Sequence, residues 1–160
     1  MIVLLNLGFT ITSTSQAADK IAIVDISSIF QQLPQRETVA KKLEDEFKKR
    51  ATELQSMERD LKIKMQQLQL NGSNMEPDAR ISLEKSLIAQ RDNLSTKAHA
   101  FEQDNRRRQT EERDKILNCI QEAVRIVATK KNYDIVINAN AIAYANNAKD
   151  ITNDVLKQVK

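Results

Sequence analysis

Between Glu37 and Leu70 apolar residues recur as Leu43, Phe47, Leu54, Met57, Leu61 and Leu68, at spacings of 4, 7, 3, 4 and 7, with no Gly or Pro in the interval. That is heptad spacing, and it predicts one long amphipathic helix with a narrow apolar stripe. A break follows at Asn71-Gly72-Ser73-Asn74-Met75-Glu76-Pro77-Asp78. Gly72 can take the left-handed conformation that ends a helix, and Pro77 suits the first turn of the next. From Asp78 a second helical stretch runs to about Lys131, with Ile81, Leu87, Leu94, Ala98 and Phe101 on a stripe able to face the first helix. The pattern predicts an antiparallel helical hairpin arm over 37–131 with a tip loop near 71–78. At ~1.5 Å per residue its helices are roughly 50 to 80 Å long, far longer than a domain of this size is wide.

The two ends of the chain follow a different pattern. Ile21-Ala22-Ile23-Val24-Asp25-Ile26 is β-branched and apolar at successive positions, as in a strand buried on both sides. Ser27 or Ser28 can cap a short helical turn carrying Ile29, Phe30 and Leu33, stopped by Pro34. Beyond the arm, Asp134 to Asn138 and Ala141 to Ala145 read as two strands around a turn at Asn138-Ala139-Asn140. Asp150 can cap a last helix whose packing stripe is Ile151, Val155, Leu156 and Val159. The expected fold is therefore α+β and mainly α. Residues 18–36 and 132–160 form a small β body of three short strands, with the arm inserted between the first and second. So small a sheet with apolar edges invites association, and an oligomer joined at the sheet end is expected.

Ile2 to Ile11 is an apolar run too short to span a bilayer, followed by Ser15-Gln16-Ala17-Ala18. This is the layout of a secretory signal peptide over 1–17, cleaved after Ala17, although no Lys or Arg precedes the run.

Composition narrows the functional classes. The 160 residues are 41% hydrophobic but only 4% aromatic, with two Gly and two Pro, as in an elongated helical chain. Net charge is +3 from 25 basic and 22 acidic residues closely interspersed. A DNA-binding protein needs a long basic face, so no nucleic-acid partner is expected. Enzymatic activity is not expected either, nor a cofactor or metal. The sequence has no Gly-rich phosphate loop, no metal-spaced His/Cys set and no nucleophile beside a base. Cys119, the single cysteine, lies among Ile116, Ile120 and Ala123 and reads as a buried small hydrophobe. His99 reads as a solvated helix residue. A structural or tethering coiled-coil envelope protein is the alternative class. Against it, the stripe is interrupted by Arg50 and Lys64, and by Arg91 on the second helix.

Several segments resemble the OmpH family of periplasmic chaperones. They are Ala18-Asp19-Lys20-Ile21-Ala22-Ile23-Val24, Phe101-Glu102-Gln103-Asp104 followed by Arg106-Arg107-Arg108, Glu111-Glu112-Arg113, and Lys149-Asp150-Ile151-Thr152 with Asp154 to Lys160. The resemblance implies a homotrimer whose subunits share a small β-barrel body, with three arms around a cavity that holds unfolded outer-membrane β-barrel proteins. It also implies a lipopolysaccharide site at the matching cations Lys97, Arg107 and Arg108. From Glu102 to Lys115 there is no apolar side chain, and the stretch holds five basic and five acidic residues. Such a helix must be solvated or held by pairs such as Arg108 with Glu112. Clients held there would meet many weak contacts rather than one site, and their release would need no ATP.

Overall fold

A computed structural model describes residues 20–146 and 148–159; the signal-peptide expectation for 1–17 lies outside the described residues. In chain order the elements are β1 (Ile21–Val24), α1 (Ile26–Gln32), α2 (Gln35–Asn71), α3 (Pro77–Lys131), β2 (Ile135–Asn138), β3 (Lys149–Asp150) and α4 (Thr152–Val159). Among the described residues no helix is long and apolar enough to cross a membrane.

The sheet has the order β2-β1-β3 and both pairings are parallel. Ile21 pairs with Ile135 and Val24 with Asn138, while Ala22 and Ile23 pair with Lys149 and Asp150. This overturns the expected hairpin over 134–145. Asn138-Ala139-Asn140 supplies no residue in the left-handed region that a tight hairpin turn needs. Ala139–Ala141 forms a 3₁₀ turn instead, closed by the Ile142 N–H donating to the Ala139 carbonyl at 3.1 Å. Ile142 is the only large aliphatic side chain between Ala141 and Ala145, and Tyr144 is exposed, so that segment has little to bury as a strand. The third strand is β3, reached after this connection.

Only one face of β1 is covered. Ala22 and Val24 are buried, but Ile21 and its partner Ile135 are 40% and 45% exposed, contrary to a strand buried on both sides. β1 also ends earlier than its apolar run. Asp25, not Ser27 or Ser28, caps α1 by accepting from the Ser28 N–H at 2.9 Å, which draws Ile26 into the helix. The core joins Ala22 and Val24 to Ile29 and Leu33 of α1 and to Ile151, Val155 and Leu156 at α4. Ile116, Ile120, Ala123 and Val127, at helical spacing, bring the end of α3 into it. Each fully buried Ile or Val is worth about 1.5–3 kcal/mol here. Cys119 stands at the margin of that stripe and is exposed, which corrects the buried reading. Asp150 accepts from the Thr152 N–H at 2.8 Å, one residue before the Ile151 carbonyl that begins α4.

α2 and α3 pair along most of α2. The partners Lys42–Glu112, Glu46–Arg108, Arg50–Asp104 and Glu53–Lys97 run in opposite order, so the two helices are antiparallel. Leu54, Met57, Leu61 and Leu68 are half-buried on α2, as are Leu94, Ala98 and Phe101 on α3; Phe47 and Leu87 are buried. Ile81 is exposed and does not belong to the seam. Leu83, four residues before Leu87, is in phase and half-buried in its place. Gly72 is right-handed, with φ −59°, not left-handed. Reversal occurs instead through a 3₁₀ turn at Gly72–Asn74 and extended backbone at Met75 and Glu76, before Pro77 opens α3. The left-handed cap is Asn132, φ 56°, whose N–H meets the Ala128 and Thr129 carbonyls at the end of α3.

Candidate functional site

Along the α2–α3 seam the chemistry changes from apolar to ionic towards the sheet. At the changeover Phe47 and Phe101 meet edge to face, with ring centroids 5.5 Å apart. The Arg50 guanidinium lies 5.7 and 5.6 Å from those two rings and donates to Asp104 at 2.8 Å. Arg50, which reads in the sequence as an interruption of the stripe, is thus part of the seam.

Closer to the sheet, Arg108 takes the seam position. Its Nε and Nη2 donate to Glu46 at 2.9 and 3.2 Å, Nη1 to Glu111 at 2.6 Å, and Nη2 to Glu112 at 2.9 Å. Glu112, buried, also accepts from Lys42 at 3.3 Å and Lys115 at 3.0 Å. These cations, Lys115 foremost and then Arg108, hold its carboxyl at about 2. Arg108 likewise holds Glu46 and, with Arg107, Glu111 below the usual carboxylate range, and its own pKa is raised in return. The fourteen residues without an apolar side chain are therefore not uniformly solvated. One side of them is an ionic continuation of the heptad seam.

Of the three cations expected to meet lipopolysaccharide, Arg107 and Arg108 are neighbours sharing Glu111. Arg107 also pairs with Asp104 at 3.2 Å. Lys97 lies about 16 Å up the helix from Arg108 and is paired with Glu53. The structure does not bring the three into one cluster, and each is already matched to a carboxylate. His99 is exposed.

Sequence reading missed a groove beside this network. It holds about 680 Å³, between α1 and the sheet-proximal parts of α2 and α3. Leu43, Phe47 and Ile116 are among its apolar lining, and Arg36, Arg106 and Arg113 are its cations. The spacing of Arg106 and Arg113, seven residues apart on one helical face, was the available signal.

The Outer membrane protein (OmpH-like) family profile matches residues 20–159 of this chain. The chain belongs to the OmpH-like family. Among OmpH-like relatives, it is 66% identical to the chaperone protein Skp of Pectobacterium atrosepticum over 156 residues, covering 98% of this chain and 94% of that one. It is 51% identical to the chaperone protein Skp of Escherichia coli, covering 97% and 95%. A crystal structure of an OmpH-like protein from Caulobacter crescentus shares the fold, with a TM-score of 0.75 at 16% identity over 96% of this chain and 90% of that one.

Proposed function

We propose that this chain is an ATP-independent holdase of the periplasm, which captures unfolded outer-membrane β-barrel proteins and keeps them from aggregating before membrane insertion. The observation that carries this reading is the near end-to-end match to Skp chaperones at 51–66% identity. In this reading residues 1–17 are a signal peptide cleaved after Ala17. The chain is a homotrimer joined through the body of residues 18–36 and 132–160, and residues 37–131 project as a helical hairpin arm around a client cavity. Support for association at the sheet comes from Ile21 and Ile135, adjacent apolar side chains left open in the single chain. Support for a projecting arm comes from the seam, since much of it beyond the sheet-proximal end packs only α2 against α3. Clients are held mainly by many weak contacts, since an exposed ion pair is worth about 0–1 kcal/mol and three arms act together.

The test dilutes a urea-denatured β-barrel protein into buffer with and without the purified mature chain, and follows light scattering. Suppression at stoichiometric chain without nucleotide supports the reading. A chain that leaves scattering unchanged refutes it and returns the tethering coiled-coil alternative.

Lipopolysaccharide binding at Lys97, Arg107 and Arg108 remains a second proposal, supported by their match to the family pattern. For Arg108, the phosphates must displace Glu46 and Glu112. Binding that survives Arg107→Ala and Lys97→Ala together would place the lipid elsewhere.

A further inference from the structure

The groove between α1, α2 and α3 combines an apolar lining with unspent positive charge. Phe30 and Val39 add to its apolar surface, and among the described residues Glu44 is the only acidic one lining it against Arg36, Arg106 and Arg113. These three guanidinium groups differ from Arg108. Arg106 stands 3.7 Å from Glu102, a solvent-exposed neighbour on its own helix. Among the described residues Arg113 meets only the adjacent Asp114, at 3.3 Å. Arg36 stacks 5.4 Å from the Phe30 ring and gives one hydrogen bond, to the Gln31 carbonyl at 3.3 Å. Each guanidinium carries five N–H donors, so most of theirs remain available to an incoming carboxylate. At the foot of the α2–α3 pair, the cations with donors to spare thus face an apolar trough.

We propose that this groove is an anchoring site for an extended segment of unfolded polypeptide that carries acidic side chains beside apolar ones. The proposal rests on the holdase reading and says where on the chain a client is gripped. Geometry favours a polypeptide over a lipid headgroup. Arg106 and Arg113 lie about 10.5 Å apart along the helix axis. An unfolded chain in the polyproline II conformation advances about 3.1 Å per residue with about three residues per turn, so carboxylates three residues apart lie on one side, roughly 9 Å apart, and reach both, whereas one phosphate meets one. Between the two arginines, Asn105, Gln109 and Thr110 offer amides and a hydroxyl to the backbone of such a segment. Its apolar side chains enter the trough over Leu43 and Phe47. Two weak elements, charge and burial, then act on the same short segment, which makes this the strongest single contact in an otherwise diffuse surface.

The test uses the full mature chain and two fluorescein-labelled peptides, one alternating Leu with paired Asp and one with Lys in place of Asp, read by fluorescence anisotropy. The Asp peptide should bind at least about tenfold more tightly than the Lys peptide. Arg106→Glu with Arg113→Glu should weaken the Asp peptide by about tenfold or more, and Leu43→Trp, which fills the trough, should weaken both peptides. Lys48→Glu with Arg59→Glu makes the same charge change outside the groove and should cost less than about twofold. Circular dichroism checks each fold, and Arg106→Gln with Arg113→Gln repeats the test if the Glu pair fails to fold. Equal losses from the two double reversals would overturn the proposal. So would variants that keep peptide binding but lose binding to phosphatidylglycerol vesicles, which would make this a lipid site. A wild-type chain that suppresses aggregation but binds neither peptide refutes the groove alone; one that does not suppress aggregation refutes the holdase reading.

Discussion

Replacing Phe47 by Ala tests whether the α2–α3 pair is a stability unit of its own. Phe47 is 6% exposed, meets Phe101 edge to face at 88°, and receives Arg50 above it. Truncating a buried Phe to Ala costs about 3–5 kcal/mol, because the cavity cannot close fully. Of this, the aromatic pair accounts for about 0.5–1.5 kcal/mol, and the Arg50 contact for about 0.5–1 kcal/mol. The loss should stay local, since Phe47 is not in the cluster that joins β1, α1 and α4 to the end of α3. Native-state hydrogen exchange is the assay. Amides of α2 and α3 around Phe47 and Phe101 should exchange faster by roughly two to three and a half orders of magnitude, at 1.4 kcal/mol per tenfold. Those of Ala22, Ile120 and Val155 should hardly change. Equal acceleration in both sets would show that seam and sheet core open as one unit. A change below about tenfold around Phe47 would show that the seam is held mainly by its ion pairs.

Acid should loosen the sheet-proximal end of the pair: with its folded pKa at about 2 against an ordinary 4.5, Glu112 stabilises fully above about pH 4.5 and its contribution fades as pH falls towards 2. Helicity followed through that window should depend less on pH in Glu112→Gln, and identical titrations would refute the assignment. Gly72→Ala should be neutral or stabilise by about 0.4–1 kcal/mol, because φ is right-handed and a Cβ there meets only the Leu68 side chain, at 3.4 Å. A lower melting temperature would point to a left-handed Gly72. Asn132→Val should destabilise by about 1–2 kcal/mol while Asn132→Gly is tolerated, as the left-handed cap requires. Equal melting temperatures for the two would count against that cap.

Periodicity made the two long helices legible because each needs one stripe, and Phe47, Leu54, Leu87 and Leu94 announce it. Where the stripe turned ionic the pattern failed. Arg50 looks like an interruption until its partner across the seam, Asp104, is known 54 residues away; for Arg108 the local pair with Glu112 was legible, but Glu46, 62 residues away on α2, was not. The sheet was harder still. A two-residue strand such as β3 carries no alternation to detect, whereas Ala141 to Ala145 resembles a strand while having almost nothing to bury. The groove escaped notice because its wall is drawn from three helices, and only the Arg106 and Arg113 spacing was local.

The parallel pairing of β1 with β2 also dictates an order of assembly. Lys20 and Asp134, which bond just outside that pairing, are 114 residues apart, so the sheet cannot close until nearly the whole chain has been delivered. Zipping α2 against α3 first shortens the effective loop to about a quarter, and two halvings recover roughly 1.2 kcal/mol of closure entropy. The α2–α3 pair therefore acts as a splint for its own sheet, bringing the two chain ends together before they have any contact of their own. Pulse-labelled refolding should show the amides around Phe47 and Phe101 protected ahead of those in β1; the reverse order would mean that the ends find each other unaided.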